Sequence, residues 1–184
     1  MITILSGSAR HNANTLRVAK AAQQEINNAN ISAEIIDFKD FDIPNYNQRF
    51  DPANLSTWQQ GALDSILKSK LVIFISPEYN WMPTAEMIQF INRFSGNGLN
   101  HIWDNRTFAT IGLSSGIGGR LPALHLKNMI DEVIGYSKSS GKTVSAIQEV
   151  NYVMDVIDID GNLLENELFN QSFSGFIKSL CALV

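Results

Sequence analysis

Residues 71–76 (LVIFIS) are the strongest constraint on what this chain can fold into. A near-continuous apolar run of strand length reads as a strand covered on both faces, the pattern of a parallel sheet rather than of a sheet wet on one side. Four more segments read as strands: 1–6 (MITILS), 31–37 (ISAEIID), 106–114 (RTFATIGLS) and 143–150 (TVSAIQEV). Helical patterns lie between them, at Thr15–Asn28, Leu55–Leu67, Ala85–Phe94 and Leu121–Ile134, and Leu164–Leu183 closes the chain. Strict alternation of strand and helix predicts an α/β fold with helices on both faces of a parallel sheet. Right-handed crossovers leave few topologies. At 184 residues the chain reads as one domain, 1–184, large enough to bury a real core.

The remaining bulk properties exclude whole classes. Net charge is −4, which argues against a nucleic-acid partner. Cys181 is the only cysteine, so no internal disulfide forms, and it reads as a small buried apolar residue. Met1–Leu5 lacks the basic flank and long apolar core of a leader and reads as a first strand. No apolar run reaches the ~20 residues of a membrane span, so no membrane association is expected and a cytoplasmic location is the default. His11, His101 and His125 are scattered and read as surface or packing residues, and no His, Cys and carboxylate spacing suggests a metal.

Open parallel sheets bind ligands outside the carboxyl ends of their strands, where strand order reverses. That directs attention to Ser6–Thr15, Ser76–Thr84 and Ser114–Arg120. The first combines small residues and hydroxyls with Arg10 and a helix start, a setting suited to a phosphate. Ser8, Asn14 and Thr15 could add hydrogen bonds, and the Arg10 guanidinium a matching charge. No G-x-x-x-x-G-K-[ST] or G-x-G-x-x-G occurs there, so a monophosphate ester fits better than a triphosphate or a dinucleotide. A polar turn in which Asn14 or Thr15 merely caps the helix is the competing reading. In the second loop, Pro77-Glu78-Tyr79-Asn80 puts polar groups at a strand end, with Trp81 and Met82 adding apolar surface. That mixture suits a flat heteroaromatic ring. Ordinary packing explains Trp81 and Met82 as well, and a solvated or ion-paired carboxylate explains Glu78. The third loop, Ser114-Ser115-Gly116-Ile117-Gly118-Gly119, lets backbone approach a ligand closely. Two longer irregular segments, 38–54 and Ser95–Asn105, complete the loop inventory.

Together, Gly7-Ser8-Ala9-Arg10, Pro77-Glu78-Tyr79-Asn80 and Ser114-Ser115-Gly116 with Gly118-Gly119 make the chain resemble the NADPH-dependent FMN reductase family of flavodoxin-like proteins, which includes quinone, azo-dye and chromate reductases. The resemblance spans about residues 1–180 and includes the late Asp158-Ile159-Asp160-Gly161 turn. It implies a five-stranded parallel sheet of order 2-1-3-4-5 and non-covalent FMN. Ser8, Arg10, Asn14 and Thr15 would take the phosphate, Pro77, Glu78, Tyr79 and Asn80 would line the isoalloxazine, and Ser115, Gly116 and Gly118 would close its other side. Two departures stand out. Ala13 occupies a position where the family often has Ser. Trp81-Met82-Pro83-Thr84 replaces a Gly-Ser…Pro-Gly run and is one residue shorter, with Glu86-Met87-Ile88 at the helix start, which rebuilds the entrance near the ring.

The resemblance implies that NAD(P)H reduces the flavin and that a small-molecule acceptor, such as a quinone or azo compound, reoxidises it in a ping-pong scheme. The flavin carries the chemistry, so no catalytic side chain is expected. A flavodoxin-like electron carrier or flavin-binding regulatory protein without NAD(P)H turnover is the alternative. Trp81, Met82, Phe90, Phe94 and Trp103 suggest a homodimer or dimer of dimers, although core packing accounts for the same residues.

Overall fold

The structure, a computed structural model, describes residues 1–96 and 98–184. Its centre is a parallel sheet built from β1 (Ile2–Ser6), β2 (Ala33–Asp37), β3 (Leu71–Pro77) and β4 (Thr107–Leu113), completed by two short strands, β5 (Lys142–Thr143) and β6 (Gln148–Val150). Strand order is β2-β1-β3-β4-β5, with β6 also on β4, and every pairing is parallel. This is the flavodoxin-like order expected. The fifth position differs in detail: the segment expected as one strand over 143–150 is interrupted. β5 pairs Thr107 and Phe108 and β6 pairs Ile111 to Leu113, so one side of β4 is bonded in two stretches. A sheet edge tolerates such a break because one side of the strand has no further neighbour to satisfy.

Helices α1 (Asn14–Asn28), α2 (Thr57–Lys68), α3 (Ala85–Phe94), α4 (Arg120–Ser137), the short α5 (Val153–Val156) and α6 (Glu167–Cys181) complete the order. Each long one falls within three residues of the span its periodicity predicts. β3 shows why both faces are filled. Leu71, Ile73 and Ile75 belong to a largely aliphatic core with Val18, Ala22, Phe173 and Ile177 of α1 and α6. Val72 and Phe74 point the other way, among Phe90, Phe94, Trp103, Phe108, Leu126 and Ile130. This second face is aromatic, with Phe90 and Phe94 stacked 4.5 Å apart between ring centroids. Strand periodicity of two distributes one apolar run over two cores. Each fully buried large side chain of this kind contributes roughly 1.5–3 kcal/mol.

The irregular segment after β2 is anchored rather than loose. The Arg93 guanidinium, nearly buried on α3, donates to the carbonyls of Asn45 and Gln48 and lies over the Tyr46 ring at 4.6 Å. Gln89 donates to Ile43. Of the expected loop Ser95–Asn105, Asn97 lies outside the described residues, and Asn100–Trp103 forms a helical turn. Among the described residues no helix is long and apolar enough to cross a membrane.

Candidate functional site

The ends of β1, β3 and β4 open on one cleft of about 290 Å³. Ser8, Arg10 and Asn14 line it from the first loop, Pro77, Glu78 and Tyr79 from the second, and Ser115 from the third. Thr15, Asn80, Gly116 and Gly118 do not line it. Sequence reasoning missed Met154, which reaches the cleft from α5. The turn after the fifth strand position also sits at the carboxyl end of the sheet, and that placement was the available signal. His11 lines the cleft as well.

The first loop is held close to the sheet by a residue without a side chain. A Cβ on Gly7 would stand 2.7 Å from the Ile75 carbonyl oxygen and 2.1 Å from the Met87 methyl. Thr84, the N-cap of α3, donates its hydroxyl to the Gly7 carbonyl at 2.6 Å and accepts from the Met87 amide. Beyond Gly7 the chain turns through Asn12, at φ +54°, into α1. Ala13 occupies the N-cap of α1 with no side-chain cap. The amides of His11, Asn12, Asn14 and Thr15 meet no acceptor among the described residues. An uncapped helix start combines unpaired donors with the positive end of the macrodipole. The capping reading for Asn14 and Thr15 therefore does not apply. Asn14 and Thr15 stand inside the helix, and the Thr15 hydroxyl is buried and accepts from Ser6 at 3.0 Å. Arg10 is exposed at the cleft, and its guanidinium has no partner among the described residues.

The other two loops are tied to the first and to each other. The Ser8 and Tyr79 hydroxyls are 3.3 Å apart. Asn14 donates to the Ser115 hydroxyl at 3.4 Å. The Gly119 amide donates to a Glu78 carboxylate oxygen at 2.6 Å, and the Gly118 amide to Asn151 Oδ1 at 2.7 Å. Gly118 and Gly119 have φ +150° and +97°, a region that favours glycine. Between Tyr79 and Met82 a reciprocal pair of backbone hydrogen bonds closes a two-residue hairpin, with Asn80 and Trp81 at φ +49° and +65°. Both central residues being left-handed is the pattern of a type I′ turn. The altered stretch after Tyr79 is therefore a tight hairpin that carries an exposed indole.

This donor set suits a phosphate monoester. Free amides at a helix start, the buried Ser8 hydroxyl and the exposed Arg10 guanidinium all favour a doubly charged anion, and the one carboxylate lining the cleft, Glu78, accepts from the Gly119 amide. Among the described residues no His, Cys, Asp and Glu side chains group so as to hold a metal.

Comparison with known proteins bears on what occupies such a cleft. A family model described as NADPH-dependent FMN reductase matches residues 1–149. No curated protein sequence matches the chain. Among solved structures, the chain is similar to FerB, a flavoenzyme NAD(P)H:(acceptor) oxidoreductase from Paracoccus denitrificans, with a TM-score of 0.78 at 21% identity, covering 99% of this chain and 95% of that one. The apo form of an NADH:FMN oxidoreductase, EMOB, gives a TM-score of 0.69 at 15% identity over 98% and 88% of the two chains. A flavodoxin from the domain Archaea gives 0.54 at 16% identity over 97% and 99%. At these identities the likenesses establish the fold.

Proposed function

The chain belongs to the NADPH-dependent FMN reductase family, with FMN as cofactor and NAD(P)H as electron donor, and from that premise we propose that the cleft described above is its FMN site and that it passes two electrons on to a small acceptor of the quinone or azo class. The observation that carries the placement is the uncapped start of α1, whose free amides open on the same cleft as Ser8 and Arg10. In this reading Ser8, Arg10, Asn14 and the Thr15 amide hold the phosphate. Pro77, Glu78 and Tyr79 flank the ring on one side and Ser115 on the other, in large part through backbone, while Asn80, Gly116 and Gly118, which do not line the cleft, support these walls from behind.

The bound flavin supplies hydride acceptance and two-electron transfer. The chain's own contribution is placement. The helix start and Arg10 neutralise the phosphate charge, and the ties from Ser8 to Tyr79 and from Asn14 to Ser115 keep the three loops in one arrangement. Gly116 meets no protein atom within 4 Å of where a Cβ would stand, so no clash requires glycine there. No side chain is asked to move a proton. A homodimer that covers the cleft, with Trp81 and Met82 at the contact, fits their exposure of 66% and 44%, and the protein would act in the cytoplasm.

The visible spectrum of the purified protein, with the mass of whatever denaturation releases, tests the cofactor site. A yellow protein releasing FMN is the expected result, and a colourless protein that takes up no added FMN would overturn the reading. Anaerobic NADPH should bleach the bound flavin. A flavin that stays yellow would replace the reductase by an electron carrier on the same fold. Light scattering after size exclusion should give a dimer mass.

A further inference from the structure

β3 and β4 run in register as far as Pro77 and Leu113, and the Glu78 amide donates once more to the Leu113 carbonyl at 2.8 Å. Past that point the two loops have no ladder to hold them together. One carboxylate does so instead. Glu78 Oε2 accepts from the Gly119 amide at 2.6 Å, and a Cβ on Gly118 would lie 2.9 Å from the same oxygen. The carboxylate therefore rests against the Gly118 backbone with no room to spare. Gly119 is also the N-cap of α4, so the charge sits at the positive end of an 18-residue helix that has no other side-chain cap. From the opposite side Asn151 accepts from the Gly118 amide, and its own amide donates to Glu149 at 2.9 Å. Tyr152 donates its backbone N–H to the Gly116 carbonyl at 2.8 Å.

We propose that Glu78 is a positioning residue: its carboxylate bonds the strand-three loop to the start of α4 and so sets the width of the slot between the second and third loops in which the flavin ring is held. The proposal rests on the FMN reading above and changes the part Glu78 plays in it. A hydrogen bond from a backbone amide to an ionised carboxylate is short and roughly twice as strong as a neutral one. A single such bond between two otherwise unpaired loops has leverage over their spacing. Gly118 and Glu78 are thereby coupled, because a side chain at 118, besides its own strain at φ +150°, would displace the carboxylate.

Three variants of the full chain test this: Glu78→Ala, Glu78→Gln and Gly118→Ala. FMN and riboflavin affinities are read by quenching of flavin fluorescence, together with the fine structure of the bound flavin's long-wavelength band. E78A should weaken both ligands at least tenfold and by the same factor, because the slot serves the ring and not the phosphate, and should blur the band shape. E78Q keeps an oxygen that can accept from Gly119, and should recover most of that affinity and the band shape. G118A should weaken binding alone, yet add far less in the E78A background, the non-additivity expected of residues that act through one contact. Should E78A fail to fold, the contrast between E78Q and G118A carries the test. E78A binding FMN within twofold of the unaltered protein, or additive effects of the two substitutions, would overturn the clamp alone. An unaltered protein that binds no FMN would overturn the clamp and the FMN site together.

Discussion

The strand-one loop and the strand-four loop face the same cleft and are built in opposite ways. From His11 to Thr15 the backbone donors lie open, with Ala13 offering no cap and Arg10 no partner among the described residues. From Ser114 to Gly119 most donors are already satisfied, Ser114 by the Val150 carbonyl, Gly116 by the Ser114 hydroxyl, Gly118 by Asn151 and Gly119 by Glu78, and only the Ser115 and Ile117 amides meet no acceptor among the described residues. His11 and Asn12 are exposed, but Asn14 is half-buried and Thr15 buried, and amides in that setting are costly to leave without a partner. A loop that satisfies them internally is a preformed wall. On the proposed reading the contrast separates charge recognition from shape: the first loop would take the anion, and the fourth strand's loop presents a mostly preformed surface.

Substitution at the wall should therefore damage the fold, and the largest effect is expected at Gly119. Its φ of +97° and a Cβ position 2.6 Å from the Gly112 carbonyl oxygen leave no place for a methyl group. Gly119→Ala should lower unfolding free energy by about 4 kcal/mol, strain and overpacking together. Urea unfolding of the protein without flavin measures it, and a loss under about 1 kcal/mol would show the wall to be more pliable than its geometry indicates.

Substitution in the open loop should damage binding and spare the fold. Arg10→Ala removes an exposed side chain with no partner among the described residues, so stability should stay within about 0.5 kcal/mol. FMN affinity should fall roughly 10- to 100-fold, the loss of a charge-assisted contact of about 1.5–3 kcal/mol. Riboflavin, which has no phosphate, should bind the variant and the unaltered protein alike. An equal loss for both ligands would break the division of labour between the loops.

The same comparison explains what was legible in the sequence. Periodicity placed β3 and the helix Ala85–Phe94, because alternation of Val72 and Phe74 against Ile73 and Ile75 follows directly from strand geometry, whereas the sheet order came from the family resemblance. It missed the break between β5 and β6, which depends on the edge having no outer neighbour. The loops were found by residue type and by their position at strand ends. What residue type does not reveal is whether a polar group is free or already bonded. Arg10 and Glu78 look equally available in the sequence, yet in the fold one is exposed and the other accepts from Gly119. Asn151 and Met154 lie beyond the fifth strand position and touch the site only through folding.

Ala13 sharpens the open side of the contrast. Its φ and ψ of −62° and +141° are those of an ordinary N-cap, so a serine there could accept from the free amides of α1. Ala13→Ser should stabilise the flavin-free protein by about 1 kcal/mol. Chemical denaturation with no flavin present checks this, and no gain would mean that the amides are already satisfied.

The smallest effect is expected at the hairpin that borders the wall. Asn80 is a residue type that tolerates the left-handed region, but Trp81 at φ +65° is not, and its indole is mostly exposed. The left-handed conformation costs a non-glycine residue roughly 1–2 kcal/mol. Glycine would remove that cost and introduce an unfolded-state entropy penalty of about 0.4–1 kcal/mol. Trp81→Gly should therefore stabilise the flavin-free monomer by only about 0.5 kcal/mol, the small difference of those two terms. A residue held where glycine is at least as stable is kept for what its side chain touches. If Trp81 serves a contact between two copies, Trp81→Gly lowers the assembly mass seen by light scattering while raising the urea midpoint of the chain. A midpoint that falls instead would mean that the indole packs on its own protomer, and the hairpin would then belong with the preformed wall.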